Sequence, residues 1–116
     1  MTELETLGFA SGHRSVRIDC EGGARFVVDA DRGAVLRVPR DRASRAPLDG
    51  RWWLGSALVD EVTGAPTLRV GARARWHLGQ GVFMFTGRIV RITADHSPAV
   101  PGRLAPGVRW PLRVPA

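Results

Sequence analysis

The sequence contains no lysine; all 17 of its basic residues are arginine. It contains one cysteine, Cys20, so no disulfide can close within the chain. Cys20 follows Val16 and Ile18 in alternation. That spacing points the thiol into a core as an inert group rather than a nucleophile. No apolar run approaches the ~20 residues that a membrane-spanning helix needs. The stretch from Met1 to Leu7 is acidic and lacks the apolar segment of a secretory leader. A cytoplasmic protein with no membrane contact is expected.

Residue sets for catalysis are scarce as well. The three histidines, His13, His77 and His96, are far apart, and no two have helical ligand spacing. One cysteine cannot build a thiolate zinc site. No glycine-rich loop opens onto a helical pattern, which excludes phosphate-loop and dinucleotide signatures. Asp60 and Glu61 are adjacent carboxylates, but neighbours on a strand point to opposite faces. The run Asp95-His96-Ser97 suits a turn better than a catalytic set. The sequence predicts a chain that is not an enzyme and holds no cofactor or metal.

What is present is a strand pattern. The chain has 116 residues, 44% of them hydrophobic, enough for one domain with a real core. Its 14 glycines and 8 prolines are spread along the chain and favour many short strands over helices. Residues 1–12 are weakly patterned and are expected to be weakly ordered. Residues 13–116 are expected to form a single β-barrel domain. Val16, Ile18 and Cys20 alternate with Arg17 and Asp19; Gly22-Gly23 turns the chain; Phe26 and Val28 follow. Asp31-Arg32-Gly33 is a second turn before Ala34, Leu36 and Val38, so two hairpins form a meander. Residues 39–50 read as an exposed loop. Residues 52–62 read as a strand bent at Gly55 that pairs with Thr67–Val70, or as a short helix.

Ala72, Ala74, Trp76 and Leu78 alternate with Arg73, Arg75 and His77, a half-buried strand with a basic outer face. Val82 to Ile92 reads as one long strand, with Phe83 and Phe85 inward and a bulge at Gly87 that brings Val90 and Ile92 to the same side. Val108, Trp110, Leu112 and Val114 close the pattern. The predicted fold is all-β: a small antiparallel barrel, split-barrel or OB-like, of six or seven strands with at most one short helix.

The formal net charge is +6. An arginine-only, Ala/Gly/Pro-rich usage is what a GC-rich genome produces. It also suits a site for phosphates, because guanidinium grips phosphate bidentately. The candidate basic face is Arg73, Arg75, Arg88 and Arg91, brought onto neighbouring rows by a hairpin through Gly79–Gly81 and extended by Arg109 and Arg113. Trp76 and Trp110 share the core-facing phase. Trp52 and Trp53 are neighbours, so one of them is expected outward as a stacking contact.

The runs Leu68-Arg69-Val70-Gly71-Ala72-Arg73-Ala74-Arg75-Trp76, Phe83-Met84-Phe85-Thr86-Gly87-Arg88-Ile89-Val90 and Gly107-Val108-Arg109-Trp110-Pro111-Leu112-Arg113-Val114 resemble the N-terminal split barrel of bacterial flagellar-brake, PilZ-associated proteins. The resemblance spans residues 68–114. It implies a bacterial binding or regulatory module acting through protein contacts. The cyclic di-GMP site of the PilZ domain proper carries an Arg-x-x-x-Arg motif and a later Asp-x-Ser-x-x-Gly motif. Arg69/Arg73 and Arg109/Arg113 have the first spacing, but Val100 stands where the second motif has glycine. Two alternatives stay open: a single-stranded nucleic-acid-binding OB-like barrel, and a degenerate cyclic-dinucleotide receptor. The expected partner is a protein or an anionic ligand.

Overall fold

The computed structural model describes residues 2–8, 12–41, 43, 48–55, 57–79 and 81–97. Among them are eleven β-strands and no α-helix. They are β1 (Thr2–Leu4), β2 (Thr6–Gly8), β3 (Ser15–Cys20), β4 (Arg25–Asp29), β5 (Ala34–Val38), β6 (Trp52–Leu54), β7 (Ala57–Asp60), β8 (Thr67–Arg69), β9 (Ala74–Gly79), β10 (Val82–Phe85) and β11 (Ile89–Asp95). They form a six-stranded sheet in the order β1-β11-β3-β4-β5-β6, a three-stranded sheet β10-β9-β7 and a two-stranded sheet β2-β8. Every pairing is antiparallel. The sheets are barrel-like in how they share one interior, but strand pairing does not close into a ring.

The β3–β4–β5 meander follows from the sequence alternation. Val16, Ile18 and Cys20 are buried on one face of β3, and Phe26 and Val28 lie on the same face of β4. Gly22, Gly23 and Gly33 have φ of 93°, 95° and 63°. Side-chain-bearing residues rarely adopt such values, which explains glycine at these turns. One core then draws on all three sheets: Ile18, Phe26, Val35, Leu68 and Ile92 are fully buried, with Leu7, Trp76 and Met84 nearly so. Main-chain bonds join the sheets at their seams. The Gly71 N–H donates to Ile89 O at 2.7 Å, and the Ile89 N–H to Ala72 O at 2.9 Å.

Four sequence expectations change. The strand count rises from six or seven to eleven among the described residues, because the two long apolar segments each break in two and the N-terminal residues add two more. Residues 52–62 become β6 and β7, and β7 pairs with β9 rather than with Thr67–Val70, which instead supplies β8 to β2. The N-terminal residues are strand: β1 pairs with β11 and β2 with β8. In β10 it is Met84 that is buried, while Phe83 and Phe85 are exposed. The expected strand over 108–114 lies outside the described residues.

Candidate binding face

The phase of β10 is set by a bulge. Val82 faces Gly79, but Phe83 faces His77, so the register shifts by one residue between them. Without the shift, Phe83 and Phe85 would stand opposite Leu78 and Trp76, on the core side. With it they stand opposite His77 and Arg75, on the outer side. A slip of one residue reverses the face of every side chain that follows.

The outer face of the three-stranded sheet therefore carries an aromatic and cationic cluster. Phe83 is 39% and Phe85 54% exposed. The Phe83 ring meets the His77 ring edge-on at 4.8 Å, and Phe85 lies 6.2 Å from Phe83 at a tilt of 41°. The Arg75 guanidinium sits over Phe83, 5.6 Å from the ring centroid, a cation–π distance. Val59 on β7 lies opposite Arg75 and extends the face. Glu61 and Arg73, both exposed, mark its end, where the Glu61 N–H donates to Arg73 O at 3.0 Å. The inner face is the reverse: Ala74, Trp76, Leu78 and Met84 all enter the core.

The six candidate arginines do not form one row. The β9–β10 hairpin exists, but it ends at Phe85, and β11 leaves to pair with β3 and β1. Arg73 and Arg75 stay on the three-stranded sheet. Arg88 lies 3.6 Å from Glu21, and Arg91 lies 3.8 Å from Glu3. Arg109 and Arg113 lie outside the described residues, as does Trp110. Neither Trp52 nor Trp53 is an exposed indole. Trp52 is buried with Ala34 and Leu36 on the side of the large sheet away from the main core. Trp53 packs against the main core, and its Nε1 donates to Leu48 O at 2.9 Å. Sequence reasoning missed Phe83 and Phe85 as exposed groups. The only available signal was Gly79 and Gly81 flanking the turn, which permits a bulge without requiring one.

Other reactive side chains are engaged elsewhere. Burial pushes the Cys20 thiol up to about 11, opposed by the Gly87 backbone. His13 and His96 are distant in sequence but stack with ring centroids 4.6 Å apart. Asp95 accepts from the Ser97 N–H at 2.9 Å, and that bond holds its carboxyl below the usual range. Among the described residues no three His, Cys, Asp or Glu side chains gather as metal ligands, and no helix is long and apolar enough to cross a membrane.

No family model matches the chain, and no curated protein or solved structure is significantly similar to it.

Proposed function

We propose that the chain is a non-catalytic, cytoplasmic binding or regulatory module of the bacterial PilZ-associated split-barrel type, acting through protein contacts on the outer face of the β7-β9-β10 sheet. The observation that carries this reading is the adjacent pair Phe83 and Phe85, exposed on one strand beside Arg75. Aromatic and arginine side chains dominate the energetics of protein interfaces. Clustered exposed apolar groups mark interaction sites more often than scattered ones do. Charge supports a protein partner over a polyanion. Eight described arginines have a carboxylate partner within the chain, which leaves fewer guanidinium groups to meet the phosphates of a polyanion.

The nucleic-acid reading is favoured by one specific feature: two phenylalanine faces on a strand, with arginine beside them, suit base stacking. The cyclic-dinucleotide reading is weakened because Arg69, half of the Arg69/Arg73 pair, is tied to Asp60 at 2.8 Å.

Photo-crosslinking in the native cells separates these. Benzoylphenylalanine in place of Phe85 should give a discrete protein adduct. The same probe at Val38, which is 40% exposed on β5 of the six-stranded sheet, should not. Equal adducts from both positions overturn the reading. An oligonucleotide adduct, with affinity falling steeply as salt rises, moves the function to nucleic acid.

A further inference from the structure

The geometry points to the free edge of β10 as the docking site for an extended acidic peptide, added as a strand beside Val82–Phe85; this rests on the outer face of the sheet being the recognition surface. β10 is the last strand of its sheet, and no described strand pairs with its other side. The Thr86 N–H donates to Ala74 O at 2.9 Å, so the even-numbered residues bond towards β9. In an antiparallel ladder the alternate residues then turn their N–H and C=O groups the other way. Those residues are Phe83 and Phe85, whose side chains also form the exposed cluster. Backbone hydrogen bonding and side-chain contact are thus offered by the same two residues, which is the requirement for strand addition.

Exposed edges are usually blunted by charge or proline. Val82-Phe83-Met84-Phe85 contains neither. Its bulge lies at the Val82 end, before Phe83 and Phe85.

The charge of the occupant follows from Arg75. Its guanidinium lies over Phe83, above the β10 row rather than its own. An added strand would run about 4.8 Å from β10, which brings a glutamate on it within reach. Arg75 forms no ion pair with a described carboxylate, and its Nε is buried without a hydrogen-bond partner. Glu61, the acidic residue of this face, stands across β9 from β10 and does not offset it there. A second copy of this chain would bring a second Arg75 to the same place, on a molecule of formal charge +6. An acidic peptide with alternating apolar residues meets both the charge and the phenylalanines.

The probe is an end-blocked peptide of about eight residues alternating glutamate and valine, matched in length to a short strand. Its controls are the lysine–valine counterpart and a version N-methylated at alternate amides. Binding to the whole chain is followed by amide exchange and chemical shifts. The glutamate peptide should protect the Phe83 and Phe85 amides from exchange. The lysine peptide should bind at least about tenfold more weakly, and Arg75→Gln should remove most of that difference. Methylation in one of the two alternate registers should abolish protection. Phe85→Ser, at an exposed position, should weaken binding while the protection of Ile92 in the core stays unchanged.

Shifts at Phe83 and Phe85 without amide protection overturn strand addition but leave the face as the binding surface. Protection of both amides in the chain alone, rising with its concentration, assigns the edge to a second copy. No binding of the glutamate peptide at millimolar concentration, or equal binding of the lysine peptide, overturns the acidic occupant. Protection by an oligonucleotide in place of either peptide overturns both this proposal and the protein-binding reading.

Discussion

Asp60 shows how a single buried charge organises a corner of this fold. It shares the inward phase of Leu58 on β7, and its side chain is 1% exposed. It accepts three hydrogen bonds: from the Val62 N–H at 2.9 Å, the Thr63 N–H at 3.0 Å and Arg69 Nε at 2.8 Å. The Arg69 bond first, then the Thr63 amide, holds the carboxyl well below the usual carboxylate range. Because the folded carboxyl titrates lower than the unfolded one, the unfolded chain takes up the proton first as pH falls. The stabilisation is present above the unfolded value near pH ~3.9 and is lost as pH falls through the folded value. Asp60→Asn keeps an acceptor for the two turn amides but places a donor against Arg69. It should lower stability by about 2 kcal/mol at neutral pH. Urea midpoints should show the gap between variant and parent narrowing below pH ~4. That Asp60 and Glu61 face opposite ways was legible from strand parity. The arginine partner of Asp60 was not, because that depends on how β8 returns past β7.

The β9–β10 hairpin makes opposite predictions depending on its register. Alternation alone puts Phe83 and Phe85 in the core, whereas the bulge at Val82/Phe83 puts Met84 there, 3% exposed and opposite Trp76. Met84→Ala should therefore cost about 2–4 kcal/mol. Phe85→Ser, at a site 54% exposed, should stay within about 1 kcal/mol. Denaturant unfolding of the two variants decides between the registers, and the reverse ranking would restore the unbulged one. A second bulge, between Ile89 and Arg91, leaves Val90 51% exposed while Ile92 is fully buried. The strands that alternation placed correctly, β3 and β4, share a regular ladder between well-marked glycine turns. The phases it misplaced in β10 and β11 follow bulges, which are decided by how strands meet in space. The candidate binding face fell on a misplaced strand, so its phenylalanines looked like core.

Long-range closure holds the molecule together, and it is the level least visible in a linear pattern. The first strands pair with some of the last: Thr2–Leu4 runs against Ile92–Ala94, and Thr6–Gly8 against Thr67–Arg69. Strands this short carry no period to recognise, so residues 1–12 read as weakly ordered. Their order comes from the partner strands. β1 covers an edge of β11 that would otherwise be open, and β2 is the only described partner of β8. Leu7 is 3% exposed and sits directly opposite Leu68, which is fully buried. Leu7→Ala removes a large side chain from a core to which all three sheets contribute. It should cost about 2–4 kcal/mol. A frayed leader would give under about 0.5 kcal/mol. Amide exchange supplies the second readout. Loss of the Leu7 contact should speed exchange at β8 more than at β4, because β8 depends on the N-terminal strand for its ladder, while β4 is paired on both sides by β3 and β5.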